Sequence, residues 1–314
     1  MQAQIQGTGD VNKGSYLKAI ADRLVTSPGF PADWGTSEVA PADLGLALAN
    51  SVDSYTLDVD KISRLNSLNR FSLSHLELTT ASKLGSIALG VSVSQVMAVS
   101  LSQTVNSTVG GITWVDFDVL TTVDLKPVTS TLQGYIVADD YLGSFDASIE
   151  SGNGHLTVSY PSSQSNPLMV VFARASFDER VTSYAIYNFA SSTQQYSPSA
   201  DVLEFYPLNY ALHYNSSEGT SIQDAYVLSY HYEQPLSSSG ASEYTIPRLL
   251  DSSPFVLVAS GQDGGSNFVA WTAYPQVPLQ AGSSFAGSER NVYSYMVTVN
   301  GVFYKLDISL GDIA

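Results

Sequence analysis

From Ile87 onward the chain alternates. Ile87, Leu89, Val91, Val93, Met97, Val99 and Leu101 share one parity, while Ser86, Ala88, Gly90, Ser92, Ser94, Ser100 and Ser102 mostly fill the other. A period of two marks strands with one buried face, here with a bend near Gln95. The alternation returns in Tyr226, Leu228, Tyr230 and Tyr232, in Tyr293, Tyr295, Val297 and Val299, and in Val302, Tyr304, Leu306, Ile308 and Leu310. Asn300-Gly301 separates the last two runs and is a hairpin signal, because both residues tolerate positive φ. Further strands are predicted at 112–123, 132–138, 155–160, 168–175, 181–189, 202–214, 242–247, 255–260 and 267–273. Polar, Pro-containing breaks fall at 161–167, 191–200, 234–242 and 275–288. Short strands with regular turn residues predict a mainly β protein with an antiparallel β-sandwich body. Segments 168–189 and 291–310 look like one hairpin used twice.

The first third is different, with apolar residues at helical spacing. Leu17, Ile20, Ala21, Leu24 and Val25 fall on one helical face, and Ser15 is the expected N-cap. A second helix is predicted at 58–68, with Ile62, Leu65 and Leu68 in step. A third begins at Ser74, where Ser74 and Glu77 form a capping-box pair, and ends at Gly85 as its C′ glycine. The predicted architecture is therefore short N-terminal α-helices at 1–85 and a β-sandwich region at 86–314. Two sheets or subdomains would divide near 191–200.

Between the first two helices lies Ser27-Pro28-Gly29-Phe30-Pro31-Ala32-Asp33-Trp34. Ser27 precedes a proline and is biased out of the helical region, so the helix should stop there. Gly29 can supply the positive φ of a type II turn. Trp34 is expected to fold back and bury its ring, leaving an indole N–H in need of an acceptor. This loop resembles the ectodomain start of archaeal type IV pilin-like surface proteins. In that family a membrane helix runs into a short helix and a Ser/Thr-Pro-Gly-x-Pro-x-x-Trp loop. A Leu/Gly segment and a Leu-rich Asp-x-x-Lys segment follow, matched here by Leu44-Gly45-Leu46-Ala47 and by Leu57-Asp58-Val59-Asp60-Lys61-Ile62 with Leu65. Lys83-Leu84-Gly85, Val170 to Arg174, Arg290-Asn291-Val292 and Asn300 to Phe303 are similar to later parts of the family. The resemblance implies an extracellular, cell-surface protein used in a filament, a surface complex or adhesion. It implies an assembly motif of Ser27, Pro28, Gly29, Pro31 and Trp34. A class III signal peptide and membrane helix are expected upstream of Met1, which reads as the start of an excised ectodomain.

Composition narrows the function. The formal net charge is −16, which disfavours nucleic acid and anionic membrane surfaces as partners. Only 13% of residues are charged, and Ser, Thr, Gln and Tyr supply the polar surface instead, a pattern suited to an acidic setting. The absence of cysteine excludes disulfides and a thiol nucleophile. No G-x-S-x-G elbow, P-loop or H-E-x-x-H is present. The carboxylates Asp116 with Asp118, Asp139 with Asp140, and Asp178 with Glu179 are candidate acid–base or calcium groups, but read more simply as solvated acidic turns and strand faces. The loop 263–267 lacks the Asp-x-Asp-x-Asp ladder of a calcium site, and His213 and His231 sit in Tyr-rich strands where they could face one another across a sheet. Asn106 and Asn215 open N-glycosylation sequons. The expectation is a non-enzymatic protein without cofactor or metal. Its partners would be further copies or other surface proteins, and its 19 tyrosines suit contact with glycans. The competing readings are a carbohydrate-binding module and an acid-active glycosidase or peptidase built on a carboxylate pair.

Overall fold

A computed structural model describes residues 2–195, 203–206, 208, 211–214, 220–238, 243–246, 254–283 and 285–313. In chain order come α1 (Gln2–Thr26), β1 (Thr56–Leu57), α2 (Val59–Ser63), α3 (His75–Ser82), β2 (Ile87–Gln95), β3 (Met97–Val109) and β4 (Ile112–Val123). Then follow β5 (Lys126–Pro127), β6 (Ser130–Ala138), β7 (Tyr141–Ile149), β8 (Asn153–Pro161), β9 (Leu168–Ala175), β10 (Thr182–Asn188) and β11 (Thr193–Gln195). The last third holds β12 (Leu203–Tyr206), β13 (Ala211–Tyr214), β14 (Ser221–Ser229), β15 (Tyr232–Pro235) and β16 (Glu243–Thr245). It closes with β17 (Phe255–Asp263), β18 (Ser266–Tyr274), β19 (Leu279–Gly282), β20 (Phe285–Val299) and β21 (Val302–Ile313). The protein is mainly β and builds several antiparallel sheets, as the alternation predicts.

The chain forms two compact units. Unit 1 contains Met1–Ser94, Gln276–Val299 and Tyr304–Ala314, and unit 2 contains Gln95–Pro275 and Asn300–Phe303. These units do not follow the 1–85 and 86–314 boundary drawn from the sequence, because the C-terminal strands return to the sheet of β1 and β2.

Unit 1 has one sheet in the order β1-β20-β21-β2-β19. The pairing of β1 with β20 is parallel, with Thr56 opposite Thr298. The β20–β21 hairpin turns at Asn300 and Gly301 with φ of 46° and 79°, the positive pair the sequence signalled. On α1, Leu17, Ile20, Ala21, Leu24 and Val25 are buried, so the expected apolar face packs within the chain itself. Tyr293 Oη donates to the Gly14 carbonyl (3.1 Å) and Tyr295 Oη to Asp22 (2.9 Å), tying α1 to β20.

The helix limits differ from the sequence reading in three places. The first helix begins at Gln2, so Ser15 is interior and not an N-cap. Glycines cost a helix only about 1 kcal/mol each, and Gly7, Gly9 and Gly14 do not stop one already nucleated. The second helix ends at Ser63 and not at 68. Beyond it the side-chain Oδ1 atoms of Asn66 and Asn69 accept the Leu68 and Phe71 N–H groups at 3.0 and 2.9 Å, local bonds that compete with the helix ladder. The third helix shows the expected Ser74–Glu77 capping box, but ends at Ser82 with Lys83 left-handed (φ 56°), two residues before Gly85.

Among the described residues unit 2 holds four sheets, three of which stack on one another. Its middle sheet runs β11-β10-β9-β6-β7. One face meets β3, β4 and β8 through Val99, Val115, Phe117, Leu156 and Val158 against Ile136, Met169, Val171 and Tyr187. The opposite face meets β14, β17 and β18 through Leu228, Val256, Val258 and Trp271 against Tyr135, Val170, Phe172 and Ile186. A strand covered on both sides needs apolar residues at consecutive positions, which explains the unbroken run Leu168 to Ala173. The β3-β4-β8 sheet keeps a clean alternation, whereas β17 is buried without a break from Phe255 to Gly261. The expected strand 202–214 is two strands, β12 and β13, paired antiparallel. The run from Tyr226 to Tyr232 is not one strand either: β14 stops at Ser229, and the chain turns at His231 (φ 53°) into β15.

Candidate functional site

The Pro-Gly loop is a backbone lock. Helix α1 stops at Thr26, and Gly29 takes φ of 74° as the turn requires. The loop then pairs with the segment that follows it: Phe30 N–H donates to the Asp43 carbonyl (2.9 Å) and Ala42 N–H to the Phe30 carbonyl (2.8 Å). Gly29 and Gly45 meet face to face. A Cβ on Gly45 would lie 2.3 Å from the Ser27 carbonyl oxygen and 2.4 Å from Gly29 N, so neither chain can carry a side chain there. Trp34 is fully buried, and its indole N–H donates to the Gly45 carbonyl at 2.9 Å. The acceptor that the sequence said it needed comes from the Leu/Gly segment.

Two buried cations close the lock, and sequence reasoning assigned them no role. Lys61, whose side chain is fully buried, donates from Nζ to the carbonyls of Ala47 (2.8 Å) and Pro28 (2.9 Å) and sits 3.7 Å from Asp58. Burial pushes its ammonium below the usual lysine range, and Asp58 pulls the other way. Asp58 also caps α2 by accepting the Asp60 and Lys61 N–H groups. Arg64 donates to the carbonyls of Trp34, Val39 (3.2 Å) and Phe71 (2.8 Å), and its guanidinium lies 5.6 Å from the Trp34 ring. A cation held by carbonyls is a donor that never has to be shared with water. The structure therefore gathers Ser27, Pro28, Gly29 and Trp34 with Gly45, Lys61 and Arg64. Beside them Phe30 points outward, 68% exposed.

The candidate carboxylates are engaged separately. On β4, Asp116 accepts from Thr157 Oγ1 (2.6 Å) and Asp118 faces His155 Nδ1 (2.7 Å) on an open sheet face. Asp139 accepts from Ser165 Oγ (2.6 Å) and Asn267 Nδ2 (3.0 Å), and Asp140 accepts from Gln164 (3.0 Å). Asp178 pairs with Arg180 at 2.8 Å, and that partner lowers its pKa. The segment 263–267 is a two-residue hairpin through Gly264 and Gly265, both at positive φ. His213 lies on β13 stacked on Tyr206 (4.0 Å between centroids), whereas His231 is in the β14–β15 turn, so the two do not face each other. Among the described residues no group of His, Asp and Glu is placed to hold a metal ion. Asn106 is exposed on β3, and Asn215 lies outside the described residues.

Two open surfaces stand out among the described residues. In unit 1 a groove of about 710 Å³ is lined by Gly90, Ser92, Gln280, Gly282, Phe285 and Arg290. In unit 2 the outer face of β3, β4 and β8 carries Trp114, 44% exposed, with the Asp116–Thr157 and Asp118–His155 pairs in the rows beyond it. Among the described residues no helix is long and apolar enough to cross a membrane.

No known family profile matches the chain, and no curated protein matches it in sequence. Among solved structures, HBP35 of Porphyromonas gingivalis is similar at a TM-score of 0.21 and 12% identity, over 56% of this chain and 63% of that one. The chain thus spans less than two thirds of that protein's length.

Proposed function

We propose that this protein is a non-enzymatic, pilin-like ectodomain displayed on an archaeal cell surface, serving assembly or adhesion. The observation that carries the reading is the way α1 is rooted. A 25-residue helix runs into a loop whose backbone is interlocked at Gly29 and Gly45 and held by Lys61, Arg64 and Trp34. A subunit that hangs from its N-terminal helix must resist force along that helix. Buried hydrogen bonds to backbone carbonyls resist it better than loose side-chain packing, because every broken bond strands a buried polar group. The outward Phe30 supplies an apolar point for a neighbouring copy or another surface protein.

Reading the gene upstream of Met1 tests this. The expected finding is a basic stretch followed by about twenty apolar residues. A promoter and ribosome-binding site directly before Met1, with no such segment, would overturn it.

A further inference from the structure

We propose that the outer face of β3, β4 and β8 is a binding site for a neutral glycan chain, with Trp114 as its platform. This names the partner of the adhesive role and rests on that reading.

The face is built by register. Trp114 lies opposite Ser107 on β3 and Ser159 on β8. The next row along β4 is Val105, Asp116 and Thr157, then Ser102, Asp118 and His155, then Ser100, Leu120 and Asn153. All of these β4 positions share the outward parity, while Val115, Phe117 and Val119 fill the core. Around Asp118 and His155 the face sinks into a depression of about 400 Å³ that also takes in Ser100, Ser102, Leu120 and Asn153. Trp114 and Asp118 are four residues apart on one strand, so the platform and the depression lie roughly 13 Å apart.

That spacing and chemistry fit sugar rings in sequence. The C–H face of a pyranose is apolar and electropositive and stacks on the indole's negative π face. Its hydroxyls both donate and accept, as the carboxylates of Asp116 and Asp118, the imidazole of His155, the amide of Asn153 and the serine hydroxyls require. The two acids and the absence of lysine or arginine from these rows exclude a phosphate, sulfate or uronate chain by repulsion. A protein partner is disfavoured as well, because the rows alternate polar groups with single apolar ones and offer no continuous apolar centre.

The site has its own optical reporter. The chain has three tryptophans, and Trp34 and Trp271 are buried at 0% and 1% exposure. Only Trp114 is open to solvent, so the red, acrylamide-quenched part of the emission belongs to it. The experiment titrates the whole chain with cellohexaose, laminarihexaose, mannohexaose and maltohexaose, following fluorescence and binding heat. At least one is expected to blue-shift the emission and protect it from acrylamide. Trp114→Ala should weaken that binding by about thirtyfold without moving the thermal midpoint, and Asp118→Asn should weaken it as well. Binding that survives Trp114→Ala, or no binding by any of the four, overturns the site. Antibody labelling of intact cells is run alongside. Surface label with no glycan bound leaves the surface reading standing and ends this inference, whereas absent label ends the surface reading itself.

Discussion

Gly45 shows how narrowly the loop is determined. Its absent side chain is what lets Ser27 and Gly29 approach, and the atoms that a Cβ would strike are backbone and cannot swing away. Gly45→Ala should therefore cost at least about 3 kcal/mol, measured by urea unfolding of the whole chain. Gly85 is the contrast: it has φ of 61°, but nothing lies within 4 Å of where a Cβ would go. Gly85→Ala should cost only about 1 kcal/mol, the backbone strain alone. Equal costs would mean that the interlock is not what fixes the loop. At this scale the chain announced some residues and hid others. A large aromatic after Pro-Gly-x-Pro announced a buried ring with an N–H to satisfy, and Trp34 is that ring. Lys61 and Arg64 gave no such notice, because a charged residue on a short helix normally reads as solvent-facing. Lys61 stands in the Asp-x-x-Lys segment of the resemblance, which gave it no role, and the further signal for both is position, interleaved with Val59, Ile62 and Leu65 in a segment too short to offer a separate polar side.

Strand β9 and strand β4 differ in what covers them, and alanine substitution should separate them. On β4 the burial alternates, so Val115→Ala and Phe117→Ala should destabilise by about 2–4 kcal/mol while Asp116→Ala and Asp118→Ala change little. On β9, Val170 faces one core and Val171 the other, and Phe172 returns to the first. Val170→Ala, Val171→Ala and Phe172→Ala should all be costly, with no alternation along the strand. A mild effect at either valine would show that one of the outer sheets packs loosely. This is also where sequence reading meets its limit for elements. Periodicity reports one covered face well, and 112–123 and 168–175 were both legible as strands with the limits that the structure gives. An unbroken apolar run says that a second face is covered but not by what, and pairing partners far apart in the chain carry no local mark. The turn at His231 was missed because the alternation of Tyr226 to Tyr232 continues straight across it.

The charge of the whole chain sets its response to pH. Acids outnumber Lys and Arg by 29 to 13, so self-repulsion at pH 7 is relieved as exposed carboxylates begin to take protons. Three carboxylates oppose this. The hydrogen bond from Lys18 lowers the pKa of Asp22, that from Ser74 lowers Glu77 and that from Arg180 lowers Asp178. A depressed carboxylate contributes stability that is present above its unfolded pKa and is lost as pH falls through its folded value. These losses therefore begin below about pH 4, after most of the repulsion has gone. All three lie only partly covered at the surface, where solvent screens them, so each contributes modestly. At the alkaline end the signs reverse. Burial pushes the phenol of Tyr135, which donates to the Ser229 and Tyr232 carbonyls, up to about 12, and burial with the bond to Asp22 does the same for Tyr295. A raised phenol holds its proton longer when folded than when unfolded, so stability is fully present below pH 10 and falls between 10 and about 12. The thermal midpoint should hold or rise from pH 7 to about pH 4, decline below about pH 3 and decline again above about pH 10. Tyr135→Phe should soften the alkaline decline and leave the acid side unchanged. A midpoint that falls steadily from pH 7 to pH 4 would show that paired carboxylates, and not net repulsion, govern this molecule, and would remove the argument that its sparse charge suits an acidic setting.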